Sequence, residues 1–237
     1  MKVKNIFILA AMSLTLASCS DLFEPAEENN RGLDEIYNEP TYAQGLLGYG
    51  YSMLPYNTKS VTDVATDDAV SNDLTNGYLK MATGSWTANN DPMSKWTSGR
   101  ASIQYLNIFL QEVDKVNWAK DENARKMYCD SRKGEAYALR ALNLYYLLMN
   151  HGGWTADGKL LGVPNLTEPE SSTDDFNKPR NTFQECLDQI YSDLDEAAKL
   201  LPLDYNDLTD DNAVPAKYKE IGVKTAGDYN RVFGIIM

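Results

Sequence analysis

Thr182-Phe183-Gln184-Glu185-Cys186-Leu187-Asp188-Gln189-Ile190-Tyr191-Ser192-Asp193-Leu194-Asp195-Glu196-Ala197-Ala198-Lys199-Leu200-Leu201-Pro202 is the stretch whose spacing decides the fold class. Phe183, Leu187, Ile190, Leu194, Ala197 and Leu201 step by four, three, four, three and four, which places them on one face of an α-helix. Thr182 followed three residues later by Glu185 is a capping box, in which hydroxyl and carboxylate each accept from an N–H group left unpaired at the helix start. Pro202 ends the run, because it has no N–H to continue the ladder.

The same spacing recurs upstream. Ile103, Leu106, Leu110, Val113 and Val116 predict a second helix, and Tyr137, Ala141, Leu144 and Leu148 a third, from about Asp130 to Asn150, stopping at Gly152-Gly153. A fourth is expected to start at Pro40, a residue suited to a first helical turn, and to run through Leu46 and Leu47 towards Met53. Between them, residues 61–90 and 155–179 are long and rich in turn formers, and loops of that length in a compact domain are usually functional or disordered. The expectation is a mainly α protein of tetratricopeptide-like antiparallel helix pairs, an α-solenoid scaffold with long irregular loops. No clean repeat of about 34 residues supports the solenoid on internal periodicity alone.

The N-terminus carries a different signal. Lys2 and Lys4 form a basic start, Ile6 to Met12 run uncharged and apolar, and Leu16-Ala17-Ser18-Cys19 has the large-small-small-Cys order of a lipobox. The apolar run is well short of the roughly 20 residues that cross a bilayer. Residues 1–18 are therefore expected to be a lipoprotein signal peptide, cut before a lipidated Cys19. Residues 19–38 are acidic and polar and read as a flexible tether, with acidic residues close behind the cysteine resembling the surface-export signal of some Gram-negative lipoproteins. Residues 39–237 then form the helical domain.

Charge narrows the partners. The chain has 237 residues and a formal net charge of −12, and cleavage would remove Lys2 and Lys4 and leave it more acidic still. Such a chain is repelled by nucleic acid and by anionic head groups, so the anchor rather than a basic patch must hold it at a membrane. With Cys19 lipidated, Cys129 and Cys186 remain on predicted helices; a disulfide is allowed in an oxidising compartment, and two buried free thiols are the favoured reading.

Several blocks occur in a set order: Trp96 followed by Ala101-Ser102-Ile103-Gln104-Tyr105-Leu106-Asn107-Ile108-Phe109-Leu110, then Gly134-Glu135-Ala136-Tyr137-Ala138-Leu139-Arg140-Ala141 leading to Gly152-Gly153, then Gly162-Val163-Pro164, then Ile190 with Asp193, Leu194, Ala197, Leu201 and Pro202. From about Tyr42 to Phe233 the chain resembles the SusD/RagB family of nutrient-uptake outer-membrane lipoproteins. The resemblance implies a tetratricopeptide-like scaffold that sits as a lid on a SusC-like TonB-dependent outer-membrane transporter. It implies a protein that binds an oligosaccharide or peptide outside the cell and delivers it without breaking a bond, with no cofactor. It also implies a much longer chain. One that stops at Tyr229-Asn230-Arg231-Val232-Phe233-Gly234-Ile235-Ile236-Met237 is expected to be truncated or frameshifted, lacking later helices and part of the ligand surface.

Sugar capture calls for flat aromatic faces beside amide or guanidinium donors. Trp86 with Asn89 and Asn90 is the best local constellation, with Tyr78 and Arg100 as additions; a scaffold-plugging role stays open for Trp86 and is the reading for Trp96, which leads into a helix. Glu135 and Arg140 are read as a structural pairing across helices, with Tyr137, Ala141 and Leu144 facing the core. His151, the single histidine, precedes Gly152-Gly153, but no Gly-x-Ser-x-Gly accompanies it, which argues against a serine hydrolase; it is expected to cap its helix C-terminus with partial positive charge. A lipid-anchored glycan hydrolase is the alternative reading: a glycosidase needs two carboxylates, which the 34 acidic residues neither exclude nor single out, and no residue is nominated as catalytic. Asp63, Asp67, Asp68 and Asp73 lack EF-hand spacing and read as a solvated acidic loop, and no metal site is expected.

Overall fold

The computed structural model describes residues 35–54, 61–204 and 206–236. The helices below lie in the unit Ile36–Met237. Residues 1–18, Cys19 and most of the 19–38 segment lie outside the described residues.

That unit is mainly α, as the periodicity predicts. Its helices include α1 (Pro40–Ser52), α2 (Leu79–Ala82), α3 (Trp96–Glu112), α4 (Glu122–His151), α5 (Phe183–Leu200), α6 (Ala216–Glu220) and α7 (Ala226–Ile236). A two-stranded antiparallel ladder, β1 (Gly153–Trp154) and β2 (Leu160–Leu161), joins α4 to the connection before α5. At 30 residues α4 is about 45 Å long. It packs on α1, α3, α5 and α7 and so threads three apolar clusters.

The first cluster joins Ala43 and Leu47 of α1 to Leu106 and Phe109 of α3 and Ala136 and Leu139 of α4. In the second, Ile103, Leu144, Leu147 and Leu148 meet Val163, Cys186 and Ile190. The third sets Ala124 and Met127 against Tyr218, Tyr229, Val232 and Phe233. The third cluster explains why α4 begins two turns before the expected Asp130: Ala124 and Met127 are apolar positions whose partners arrive some ninety residues later. Asp121 caps this start, its carboxylate accepting the Ala124 N–H at 2.8 Å. Lys217 ties α6 to the C-terminus of α5 by donating to the Lys199 carbonyl at 2.8 Å.

α5 carries the expected capping box, but its buried face is turned by one position. Cys186, Ile190, Asp193 and Ala197 are buried, whereas Leu194 is 44% exposed. The cause is Arg140. Its Nε and Nη2 donate to the two Asp193 carboxylate oxygens at 2.8 and 2.6 Å, and its Nη1 donates to Asn107 Oδ1 and the Thr167 carbonyl. Gln189 adds a donor to Asp193 at 3.0 Å. Removing either ion alone would strand the other without its partner, so the pair fixes the rotation of α5 on α4. Arg140 thus pairs across helices, as expected; Glu135 instead pairs with Arg132 on its own helix and accepts the Tyr51 hydroxyl of α1 at 2.9 Å.

Gly134 lets α5 approach. A Cβ there would lie 2.8 Å from Leu201 Cγ and 3.0 Å from Leu200 Cβ. The polar side of α3 then straps down the connection before α5. Asn107 donates to the Leu166 and Glu168 carbonyls, and Gln104 exchanges two hydrogen bonds with the Glu170 backbone at 2.8 Å each. The long loop expected over 155–179 is therefore a hairpin followed by a strapped, ordered segment.

Candidate functional site

The segment from Asn76 to Lys95 presents the sequence candidates. Asn76 Oδ1 accepts the Tyr78 N–H at 3.0 Å, and half-buried Tyr78 opens α2. The helix ends in a Schellman turn. Gly84 adopts φ +67°, its N–H reaches the Met81 carbonyl at 3.1 Å, and the Ser85 N–H reaches the Lys80 carbonyl at 2.8 Å. Glycine carries that left-handed φ without the Cβ penalty.

Trp86 follows at once and is 50% exposed. Beyond it the chain folds back, Thr87 bridging Asn90, with the Asn90 N–H donating to the Thr87 carbonyl at 2.9 Å. Asn89 occupies the exposed corner of that turn. Lys80 Nζ donates to Asn90 Oδ1 at 2.9 Å and ties the turn to α2. Lys80 carried no signal in the sequence, since only the fold-back brings it ten residues forward to Asn90. The result is a half-exposed indole in the same short fold-back as two asparagines, one of them held by Lys80, on a backbone fixed by its own hydrogen bonds. Such a surface can stack on a ring and exchange hydrogen bonds with hydroxyls.

Arg100 stands apart from this set. Its guanidinium pairs with Glu170 at 3.1 Å and lies over the Trp96 ring, 5.2 Å from the centroid. It is employed in holding the connection to α3. Trp96 is not the buried plug expected, being 39% exposed at the start of α3, with the His151 ring edge-on at 5.4 Å. His151 also differs from its expected role. Its Nε2 accepts the Lys95 backbone N–H at 3.2 Å, which requires a neutral ring, and burial holds its pKa below the ordinary histidine value. It closes α4 by hydrogen bonding to the start of α3 rather than by positive charge.

Cys129 and Cys186 are buried and unbridged. Burial pushes the Cys129 thiol up to about 12 and raises that of Cys186, so neither is poised as a nucleophile. Asp63, Asp67 and Asp68 are exposed, and Asp73 binds the Thr75 hydroxyl and N–H, which lowers its pKa. Among the described residues no group of three or more His, Cys, Asp and Glu side chains is placed to hold a metal ion.

A family model described as "Starch-binding associating with outer membrane" matches residues 32–217. The chain belongs to the SusD-like family. "SusD-like protein P38" of Formosa agariphila is 27% identical to it over 219 residues, covering 88% of this chain and 40% of that relative. The crystal structure of a SusD-like protein from Bacteroides fragilis superposes with a TM-score of 0.57 at 20% identity, covering 75% of this chain and 33% of that one. The helical scaffold is thus the SusD-like fold, and the chain spans well under half the length of these relatives.

Proposed function

We propose that this SusD-like chain takes part in glycan capture at the cell surface. It is anchored through a lipid on Cys19, binds an oligosaccharide without cleaving it, and passes it to a SusC-like TonB-dependent transporter in the outer membrane. The observation that carries this reading is the 84–90 loop, an exposed Trp86 flanked by Asn89 and Asn90 and mounted on rigid turns, in a family described as starch-binding. Tyr78, which precedes the helix that carries the loop, and Lys80, which lies on it, supply further polar groups. Arg100 serves the site indirectly, by fixing the scaffold at the start of α3.

The test is calorimetry on the mature polypeptide with malto-oligosaccharides and a panel of other glycans, with product analysis on the same mixtures. Saturable binding with unchanged oligosaccharide, lost in Trp86→Ala, supports the reading. Release of shorter sugars, or binding indifferent to Trp86, Asn89 and Asn90 substitutions, overturns it.

A further inference from the structure

The loop that bears Trp86 has two feet. One is α2. The other is the run Asp91-Pro92-Met93-Ser94-Lys95, which ends at the start of α3 and meets the last residue of α4. There Lys95 gives its backbone N–H to His151 Nε2 at 3.2 Å, and the Ser94 hydroxyl lies 3.5 Å from the same nitrogen. A nitrogen that accepts carries no proton, so the bond exists only for the neutral ring with its proton on Nδ1. Protonation turns that acceptor into a donor facing an N–H, and the bond is lost.

The path from this contact back to the candidate ligand groups is short and stiff. The Ser94 N–H donates to the Asp91 carbonyl at 3.2 Å, and the Met93 N–H donates to Asp91 Oδ1 at 2.9 Å. Asn90, which immediately precedes this turn, closes the next one with Thr87. Pro92 sits close to Gly77, where an added Cβ would come within 3.2 Å of the Pro92 Cβ. A shift of Ser94 and Lys95 therefore reaches Asn89, Asn90 and Trp86 with little slack to absorb it.

We propose that His151 is a positioning residue for the Trp86–Asn90 loop, pinning its foot to the end of α4 while neutral and releasing it when protonated. The role in ligand capture rests on the glycan-binding reading above; the pin itself does not.

The charged groups that reach the ring are Asp91, from the turn before α3, and Arg180, from the connection before α5. Asp91 favours the imidazolium. Arg180 opposes it and also donates to the His151 carbonyl at 3.0 Å. Burial is the largest influence and also opposes the charge, so the pKa is lowered. The sign follows. A lowered folded-state pKa means the pin is fully formed above the ordinary histidine value and is lost as the pH falls through the lowered one.

His151 is the only histidine in the chain, which makes the test unusually clean. One imidazole resonance in the proton NMR spectrum reports its titration. Amide exchange at Lys95, corrected for intrinsic rates, reports the pin. The expected result is a midpoint below that of the same histidine in the urea-unfolded chain, with Lys95 protection falling about fivefold across it. His151→Gln keeps a neutral acceptor and should hold protection flat between about pH 5 and 7.5, whereas His151→Phe should lose it throughout. Protection that ignores the titration, or a His151→Gln chain that still loses it on acidification, overturns the pin. Maltoheptaose affinity on either side of the midpoint is a separate arm. Binding at neither pH of maltoheptaose or of any glycan in the panel above defeats the glycan reading while the exchange data still decide the pin, and equal binding at both overturns the positioning role.

Discussion

The helical trio α3, α4 and α5 and the loop from Asn76 to Lys95 treat polar side chains in opposite ways. In the trio they are turned inward and used on one another: Arg140 meets Asp193, Asn107 and the Thr167 carbonyl, and Gln104 and Asn107 bind backbone groups of the connection. In the loop the backbone fixes its own shape through the Gly84 turn and the Thr87–Asn90 fold-back, and Trp86 and Asn89 are left at the surface. One region spends its side chains on architecture. The other leaves them at the surface, where the proposed ligand would meet them, so substitutions should separate the two by what they damage.

The sharpest break is Asp193→Ala. It leaves the buried Arg140 guanidinium without its carboxylate, which should cost about 3–5 kcal/mol in urea unfolding. Arg140→Met combined with Asp193→Leu should recover much of that loss, because two packed apolar side chains replace the pair instead of orphaning one member. A loss under about 1 kcal/mol for Asp193→Ala would mean that the trio is not organised by this contact.

Gly134→Ala probes the same junction with a smaller effect. Overpacking against Leu200 and Leu201 costs about 1–3 kcal/mol, offset by about 1 kcal/mol of improved helix propensity, so a net loss of about 0–2 kcal/mol is expected. Thr182→Ala removes the cap of α5 and should cost about 1 kcal/mol. Its partner Glu185 accepts the Thr182 N–H and hydroxyl, which lowers its pKa. This contribution is therefore present above the ordinary glutamate value and lost on acidification through the lowered one; in Thr182→Ala the acid limb of the stability curve should flatten in part, because the backbone N–H at position 182 still donates to Glu185.

Much of the trio was legible in the sequence because each helix announces itself locally. The capping box, Pro202 and the four-three spacing lie within one segment. The rotation of α5 was not legible, since Asp193 is buried only because Arg140 reaches it from 53 residues away. The first two turns of α4 were missed for the same reason, their apolar partners Tyr229, Val232 and Phe233 arriving with α7. In the loop, residue type pointed to Trp86, Asn89 and Asn90, but not to Lys80, and it could not tell that Arg100 is committed to Glu170 and Trp96. His151 was readable as a helix end, yet its neutral state depends on the Lys95 N–H, which only the fold supplies.

Trp86→Ala should move stability least, within about 0.5 kcal/mol, because a half-exposed side chain in a loop held by backbone hydrogen bonds has little packing to lose. The same substitution should abolish glycan binding, the reverse of the Asp193→Ala outcome. The informative control is Trp96→Ala. Trp96 carries the Arg100 guanidinium over its ring and meets His151 edge-on, so its loss should lower stability measurably and weaken binding only by loosening the foot of the loop. If Trp86→Ala instead unfolds the chain and Trp96→Ala leaves it unchanged, the roles of the two indoles are exchanged. The surface that frees its side chains would then have to be sought at α3 rather than in the loop.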